Sequence, residues 1–348
     1  MYNKAKVKHQ NMFRASIHTE PGQHLTKTAL AVGVNPSSVM RDYIALPTSS
    51  KEAIGPGSSF VVGDMANNLT GTTFQIPTLA RRYELPSDYR FNGGLVGSLY
   101  LKDQLRDRQE TGIEFAKFAN SSLAKLYRRL HMSGDIAPED RFTGYATHVK
   151  IGQKATTITT IGDVYSWVNG ELVTGAEKKV DSAKNKLIDD LELQLNLDPQ
   201  LRILSVIRIV ELFEEEAGLG MDLSQLLCQT LLRSIDETDA ANRQTVYKPV
   251  DDIVTPWQIR ELQNPARPIG AKNGHVWEYG AIDGTRTPEK YVHTVTIPTK
   301  DIDTMVVATD GSAPTSANQR VKGADDLVAV NPVYSERAIV SLDRNASD

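Results

Sequence analysis

Apolar and polar residues alternate along most of the first 175 residues, and this period of two predicts β-strands. Residues 12–20 (MFRASIHTE) alternate in this way and predict a strand that ends at the turn PGQ. Residues 60–68 (FVVGDMANN) form a short apolar run that stops on Asp64. Residues 147–175 predict an antiparallel meander, with turns at Gly152-Gln153 and Asn169-Gly170.

Helical spacing of apolar residues interrupts the strand pattern. It predicts helices over about 94–106 and 111–131, and then a block of three helical segments from 177 to about 245. Strand-like runs return after residue 246 and include DTMVVATDG and SERAIVSLDR. Neither β-rich part has a complete set of strands alone, so we predict one α+β domain, residues 1–348, with a helical insertion at 177–245. Three separate domains are the alternative.

Composition limits the class of protein. The 348 residues carry a net charge of -4, which provides no general reason to bind nucleic acid or anionic lipid. The single cysteine, Cys228, excludes an intramolecular disulfide. There is no run of 18 apolar residues and no apolar segment of a signal peptide, so we expect a cytoplasmic protein with no membrane or nucleic-acid partner.

Three carboxylates are predicted at strand ends or starts: Asp64, Asp310 and Glu336. Asp is rare in strands and Gly weakens them, so Asp310-Gly311 marks the end of the run MVVA. Hard ions such as Mg²⁺ and Mn²⁺ bind oxygen ligands, and a bound ion activates water for attack on a phosphoryl group. Asp also ends strands as an ordinary turn residue, and spacing alone favours that interpretation.

The order of four local motifs resembles the metal-dependent protein phosphatases of the type 2C family. SSFVVGDMANNLTG resembles that family's F-x-V-A-D-G-M-G-G, and ATTITTIGDVYSWVNGELV resembles its hairpin V-x-N-x-G-D-S-R-x-Y-x-x-x-x-G-x-L. DTMVVATDGSAP resembles D-x-L-L-L-x-S-D-G-L, and SERAIVSLDR resembles the closing D-D-A-T-x-I-V-V-R. The four motifs occur in the family's order over about residues 12–345.

The resemblance implies a fold and a chemistry. The fold is two antiparallel sheets packed face to face and flanked by helices (α-β-β-α), with the insertion near the cleft. The chemistry is hydrolysis of phosphoserine or phosphothreonine in a phosphoprotein substrate, with Asp64 and Asp310 as catalytic residues. Asp64, the carbonyl of Met65, Asp310 and Glu336 would hold Mn²⁺ or Mg²⁺.

Further implications concern the substrate and partners. Arg14 on the first predicted strand and Arg286 in the loop GAIDGTRTPEK are candidate phosphate contacts, because a guanidinium binds phosphate through paired donors. The helical insertion is a candidate surface for a protein partner, since variable insertions often carry specificity on a fixed scaffold.

Two departures from the family pattern suggest a second hypothesis. The family has an acidic residue before an early apolar strand, which helps to hold a second metal. We assign that place to PGQHLTKTALAVGV, where no carboxylate occurs and Glu20 is nearest, so one metal is expected rather than two. Asn67 and Asn68 replace flexible glycines after Asp64. An inert or weak pseudophosphatase that acts as a binding or regulatory module is therefore the alternative.

A third hypothesis concerns residues 25–44. Ala29, Gly33 and Val39 have the spacing of a DNA-binding helix-turn-helix, and Asn35-Pro36 is typical of a helix start. The segment carries few cations, and the phosphatase interpretation makes KTALAVGV a core strand. We favour the strand over the DNA-binding helices.

Overall fold

The structure of the protein is a computed structural model that describes residues 12–31, 35–48, 53–66, 72–132, 136, 141–175, 280–316, 319–330 and 336–344. The chain divides into two units, residues 1–176 with 280–348, and residues 177–279. The second unit lies outside the described residues, so the predicted helical insertion at 177–245 stays a prediction.

The helices are α1 (Gln23–Ala31), α2 (Pro77–Arg82), α3 (Gly93–Gln104) and α4 (Gly112–Arg129). The strands are β1 (Phe13–Glu20), β2 (Tyr43–Ala45), β3 (Ala53–Ile54), β4 (Ser59–Ala66), β5 (Thr73–Gln75), β6 (Arg90–Asn92), β7 (Thr143–Ile151), β8 (Ala155–Ile161), β9 (Tyr165–Val168), β10 (Glu171–Thr174), β11 (Val292–Pro298), β12 (Thr304–Ala308), β13 (Ser312–Pro314), β14 (Leu327–Ala329) and β15 (Arg337–Asp343). Short 3-10 helices cover Pro36–Ser38, Glu289–Tyr291, Thr299–Asp301 and Ala324–Asp326.

Two antiparallel sheets form the centre of this α+β unit. Sheet I has the strand order β10-β9-β12-β15-β1-β3, and sheet II has the order β11-β8-β7-β4-β2. A hydrogen bond of 2.8 Å between the hydroxyls of Thr160 on β8 and Thr174 on β10 joins the two sheets directly. Two small ribbons, β5-β6 and β13-β14, lie outside the main sheets.

Helices α3 and α4 cover the outer face of sheet II. Val61 and Met65 of β4 belong to the same buried cluster as Phe115 and Leu123 of α4. Side chains alternate between the two faces of a strand, so Phe60, Val62 and Asp64 face the opposite way, toward sheet I. Sheet II therefore separates an apolar helix layer from the space between the sheets.

The packing of the Met65 side chain fixes this orientation of β4. A Cβ atom on Gly97 of α3 would lie 2.5 Å from the Met65 methyl group, and one on Gly144 of β7 would lie 2.3 Å from its sulfur. Larger residues at these two positions would therefore collide with the Met65 side chain. With Met65 held in the helix layer, its neighbour Asp64 must face sheet I.

Most of the predicted elements are confirmed. The helices predicted at 94–106 and 111–131 are α3 and α4, and the strand predicted at 12–20 is β1. The strands predicted within residues 147–175 are β7 to β10, but the single meander is wrong: β7 pairs with β8 in sheet II and β9 pairs with β10 in sheet I, so the chain changes sheet between Ile161 and Tyr165. The predicted turn between β9 and β10 has positive φ angles of 52° at Asn169 and 89° at Gly170. Two successive positive φ angles are the signature of a tight type I′ hairpin.

The strand predicted within residues 21–34 is wrong. Residues Gln23–Ala31 form helix α1, and Leu25 and Ala29, four residues apart, turn one face of it toward the core. The helix-turn-helix is wrong too. Asn35 does cap the following turn by accepting a hydrogen bond from the Ser37 amide, but that turn is only the 3-10 helix Pro36–Ser38. Strand β2 follows, so residues 35–48 contain no recognition helix.

Asp64 also differs from its predicted position. It is the sixth of eight residues in β4, rather than the residue that ends the strand. Asp310 and Glu336 do flank their strands, because β12 ends at Ala308 and β15 begins at Arg337. None of the helices in the described part of the chain has the length and apolar character to cross a bilayer.

Candidate functional site

Asp42 and Asp64 form the centre of an acidic cluster at one end of the sheets. Strand β2 pairs with β4 in a register that places Tyr43 opposite Gly63. Antiparallel pairing then places Asp42, just before β2, beside Asp64. Their carboxyl groups act on each other's pKa through a mutual side-chain interaction, and the Thr309 hydroxyl donates a 2.5 Å hydrogen bond to Asp42 Oδ2.

Glu336 binds the same segment from sheet I. Its carboxylate accepts hydrogen bonds from the backbone amide of Arg41 and, at 2.9 Å, from Arg41 Nε, with a longer contact of 3.4 Å from the Asp42 amide. The Glu336 side chain is 6% exposed, whereas that of Arg41 is 36% exposed. One carboxylate thus joins the start of β15 to the start of β2.

Backbone contacts of the residues on either side of Asp310 hold it at this end of the sheets. The Thr309 amide donates to the Ala338 carbonyl, and the Ala338 amide donates to the Thr309 hydroxyl, both at 3.1 Å. A Cβ atom on Gly311 would lie 1.9 Å from the Glu336 carbonyl oxygen, so only glycine permits this close approach. The Asp310-Gly311 turn therefore lies against Glu336, while Asp310 itself is exposed.

The charges of the cluster act on one another. Burial raises the pKa of Asp42 well above its ordinary value, and the charges of Asp64 and Glu336 raise it further. Burial also raises the pKa of Asp64, with Asp163 and Glu336 adding to the increase and Arg41 opposing it. Carboxyl groups that face each other in this way share a proton rather than ionise together.

Arg41 carries the positive charge within this cluster. Burial alone would lower its pKa, but the carboxylates of Glu336, Asp64 and Asp42 together raise the pKa above its ordinary value. A guanidinium keeps its proton in proteins, so this charge is permanent. The cluster therefore contains a cation supplied by the chain itself.

The structure brings some of the predicted site residues together and leaves others apart. Asp64 and Glu336 meet at Arg41 and Asp42, and the Asp310 turn lies beside Glu336. Met65 lies next to Asp64 in β4, within the pairing of β4 with β7.

The two predicted phosphate contacts lie elsewhere. Arg14 pairs with Asp343, whereas Glu20 pairs with Arg337, so Arg14 is at the far end of β1, about 20 Å along the strand. Arg286 is exposed in a loop whose Asp283 and Gly284 amides bind Asn120 of α4. No contact among the described residues joins either arginine to the acidic cluster.

Sequence reasoning missed Arg41, Asp42 and Thr309 as parts of this cluster. A signal for Asp42 does exist, because it is an acidic residue directly before the apolar strand Tyr43–Ala45. That is the pattern sought twenty residues earlier, in a segment that forms α1. The buried Asp163, interpreted from sequence as a structural turn residue, acts electrostatically on Asp64.

As arranged, the described residues do not fit a divalent metal ion. No group of three or more His, Cys, Asp or Glu side chains within the described ranges is placed to hold one. The physical reason lies in the contacts: Arg41 and backbone amides bind Glu336, and Thr309 and Asp64 bind Asp42. A cation needs several oxygen ligands directed at one point, and here these oxygens are directed at donors within the protein.

Solved structures with a similar chain course are bacterial phosphatases. A bacterial serine phosphatase aligns with a TM-score of 0.42 and 10% identity, over 97% of this chain and 99% of that chain. The Staphylococcus aureus serine/threonine phosphatase Stp1 gives a TM-score of 0.41 and 10% identity, over 95% and 94%. The catalytic domain of the phosphatase PstP, in complex with 2 manganese ions, gives 0.39 and 12%, over 95% and 98%.

Comparison by sequence gives no further relative. No family profile matches the chain, and no curated protein matches it either.

Proposed function

We propose that this protein is a type 2C phosphatase-like module with weak or no hydrolase activity, which serves as a binding or regulatory domain. The observation that carries the proposal is the contact of Arg41 with Glu336 inside the acidic cluster. The four sequence motifs support the phosphatase-like scaffold, and the contact supports the loss of activity. The structure thus favours the hypothesis that the sequence placed second.

The chemistry of the contact explains the expected loss. Glu336 is one of the carboxylates that the resemblance assigns to a metal, yet both of its oxygens accept hydrogen bonds from residues 41 and 42. The pair is nearly buried on the Glu336 side, where a charge-assisted hydrogen bond is strong. A divalent ion would have to displace a cation that belongs to the chain.

The second candidate is a metal-dependent protein serine/threonine phosphatase that uses Mn²⁺ or Mg²⁺ and acts on phosphoproteins. The convergence of Asp64, Glu336 and the Asp310 turn favours it, since these residues come from three strands far apart in sequence. The predicted roles of Asp64 and Asp310 in catalysis, and of the Met65 carbonyl in metal binding, belong to this candidate.

Hydrolysis of an aryl phosphate and of a phosphoserine peptide, each with Mn²⁺ or Mg²⁺, separates the two candidates. We expect the wild-type rate to equal the rates of Asp64→Asn and Asp310→Asn, because the acids are engaged within the protein. A metal-dependent rate in the wild type that both variants lose would establish the phosphatase instead. Circular dichroism of all three proteins shows that each remains folded.

For the module, we propose that the predicted helical insertion at 177–245 carries the partner-binding surface and is not needed for the fold of the β-sheet unit. A variant with this segment replaced by a short Gly-Ser linker tests the second point. We expect the β-sheet unit to unfold cooperatively at an unchanged urea midpoint. A large drop in that midpoint would show that the segment is part of the folding unit.

A further inference from the structure

A guanidinium group lies among carboxylates that the sequence motifs associate with a metal. Arg41 Nε is 2.9 Å from Glu336 Oε1, and the carboxylates of Asp64 and Asp42 also act on the Arg41 charge. The partners are 295 residues apart in sequence, so the contact depends on the complete fold of the unit. Such a contact is a property of this particular site rather than of a local sequence motif.

The position of Arg41 follows from the pairing of β2 with β4. The register that places Tyr43 opposite Gly63 also places residues 41 and 42 beside the end of β4 that carries Asp64. Both the backbone amide and the Nε of Arg41 donate to the Glu336 carboxylate from this position. A side chain at this position decides which cation neutralises the cluster.

We propose that the Arg41 guanidinium is the resident cation of this cluster and closes it to divalent ions, so that replacing Arg41 with a neutral side chain creates a Mn²⁺ site. This inference rests on the proposed function, because both require Arg41 to stay on Glu336. The new site would use Glu336 Oε1, which Arg41 Nε now binds, together with Asp64, whose charge also acts on Arg41. The amides of residues 41 and 42 and the Thr309 hydroxyl would keep their bonds to Glu336 Oε2 and to Asp42.

Without the Arg41 guanidinium, the acidic cluster would need another cation in its place. Removing Arg41 leaves several carboxylates close together with no positive charge of the protein at their centre, and like charges at short range repel strongly. Two species relieve this repulsion, namely protons and a metal cation. At neutral pH a divalent ion with oxygen ligands is the stronger competitor when carboxylate oxygens become available.

The experiment measures Mn²⁺ binding by electron spin resonance of the free ion, at neutral pH and on the full chain. The variants are Arg41→Gln and Arg41→Ala, compared with the wild type. The matched control is Arg320→Ala, which also removes one positive charge, here from an exposed ion pair with Glu171 of β10. We expect at least tenfold tighter binding in the Arg41 variants, and the wild-type affinity in the control.

A second substitution locates the site. Adding Asp64→Asn to Arg41→Gln is expected to return the affinity to the wild-type level. Mn²⁺ should also raise the unfolding temperature of Arg41→Gln, because an ion that binds only the folded state stabilises it. If Arg41→Ala does not fold, recovery of its folded state on adding Mn²⁺ is the equivalent result.

Several results would overturn the inference. If the wild type bound Mn²⁺ as tightly as the variants do, Arg41 would not exclude the ion from the cluster. Folded variants with no gain in affinity, or an unfolded Arg41→Ala that Mn²⁺ does not rescue, would show that the acids cannot form a site. These outcomes are separate from the proposed function, which stands or falls on hydrolysis by the wild type.

Discussion

His148 predicts a pH dependence of stability that can be worked out from its surroundings. It lies on β7, fully buried, with its ring stacked on Phe115 of α4 at a centroid distance of 4.7 Å and an angle of 13°. Its Nε2 is 3.0 Å from the Arg108 carbonyl, whereas its Nδ1 has no partner among the described residues. A neutral ring that donates from Nε2 satisfies this geometry.

Protonation of His148 opposes folding. Its pKa is lowered to about 4, mainly by burial and in smaller part by the Lys150 charge, while the Arg108 carbonyl and Glu110 oppose the decrease. The unfolded chain has the ordinary value of about 6.5, so it binds the proton first as pH falls. The stabilising contribution is therefore complete above pH 6.5 and is lost as pH falls toward 4. Linkage gives a loss of roughly 2–3 kcal/mol between pH 7.5 and pH 4.5.

Urea unfolding of the wild type and of His148→Gln at these two pH values tests the reasoning. The Gln amide can still donate to the Arg108 carbonyl but does not titrate. We expect the stability difference between the two proteins to shift by roughly 2–3 kcal/mol in favour of the variant at pH 4.5. Other titrating groups occur in both proteins and cancel in the difference.

The control is His293→Gln, at an exposed position on strand β11 of the same sheet, two strands away from β7. It should follow the wild type at both pH values. If the free energies of unfolding of the wild type and of His148→Gln differed by the same amount at pH 7.5 and pH 4.5, burial would not hold the His148 ring neutral.

Two further substitutions test the backbone and the site. Gly170→Ala should lower the free energy of unfolding by about 1–2 kcal/mol or more, because φ is 89° and the new Cβ would lie 2.8 Å from the Arg320 side chain. Gly57→Ala is the control for the backbone cost alone, since φ is 92° there and the space around the new Cβ is open. Equal losses of stability in the two variants would refute the predicted clash with Arg320. Thr309→Val should lower the free energy of unfolding, measured by urea denaturation, by about 1–3 kcal/mol, because the Asp42 carboxyl and the buried Ala338 amide lose their partner. Thr309→Ser keeps the hydroxyl and should recover most of that stability. Equal stability of the Val and Ser variants would contradict that role.

The parts of the fold that sequence predicted correctly depend on short-range signals. The Asn169-Gly170 turn needs two residues that tolerate positive φ, and the sequence supplies them between two alternating runs. Helix α4 carries a repeated apolar face, whereas α3 is buried continuously from Gly93 to Leu99, and both were predicted to within two residues. In each case a local pattern and the tertiary structure favour the same element.

The errors occur where distant contacts decide the outcome. Gly63 and Asp64 are poor strand residues, so the sequence indicated that the strand stops there. In the fold, the Tyr43 ring from β2 fills the space above Gly63, where a Cβ would lie 2.5 Å from it, and the pairing with β7 continues to Ala66. No pattern within β4 itself contains this information.

The site shows the same division between local and distant information. The acids Asp310 and Glu336 could be found because strand ends have a recognisable sequence, and the structure places their turns against each other. The role of Arg41 could not be found in this way, because its partner is 295 residues away and no periodicity connects the two positions. In the sequence it was only a cation in a proposed DNA-binding segment.

The identity of residue 41 is what changes the functional interpretation. An acidic side chain there would add to the negative charge beside Asp64 and Glu336, and the cluster would then require a cation from solution. Arginine reverses the sign at that position and cannot lose its proton, so the positive charge that it supplies does not depend on pH in the range where proteins are stable. Under the proposed function, the arginine just before β2 is what separates the phosphatase-like scaffold from phosphatase chemistry, and a neutral residue in its place tests whether it is also the only obstacle.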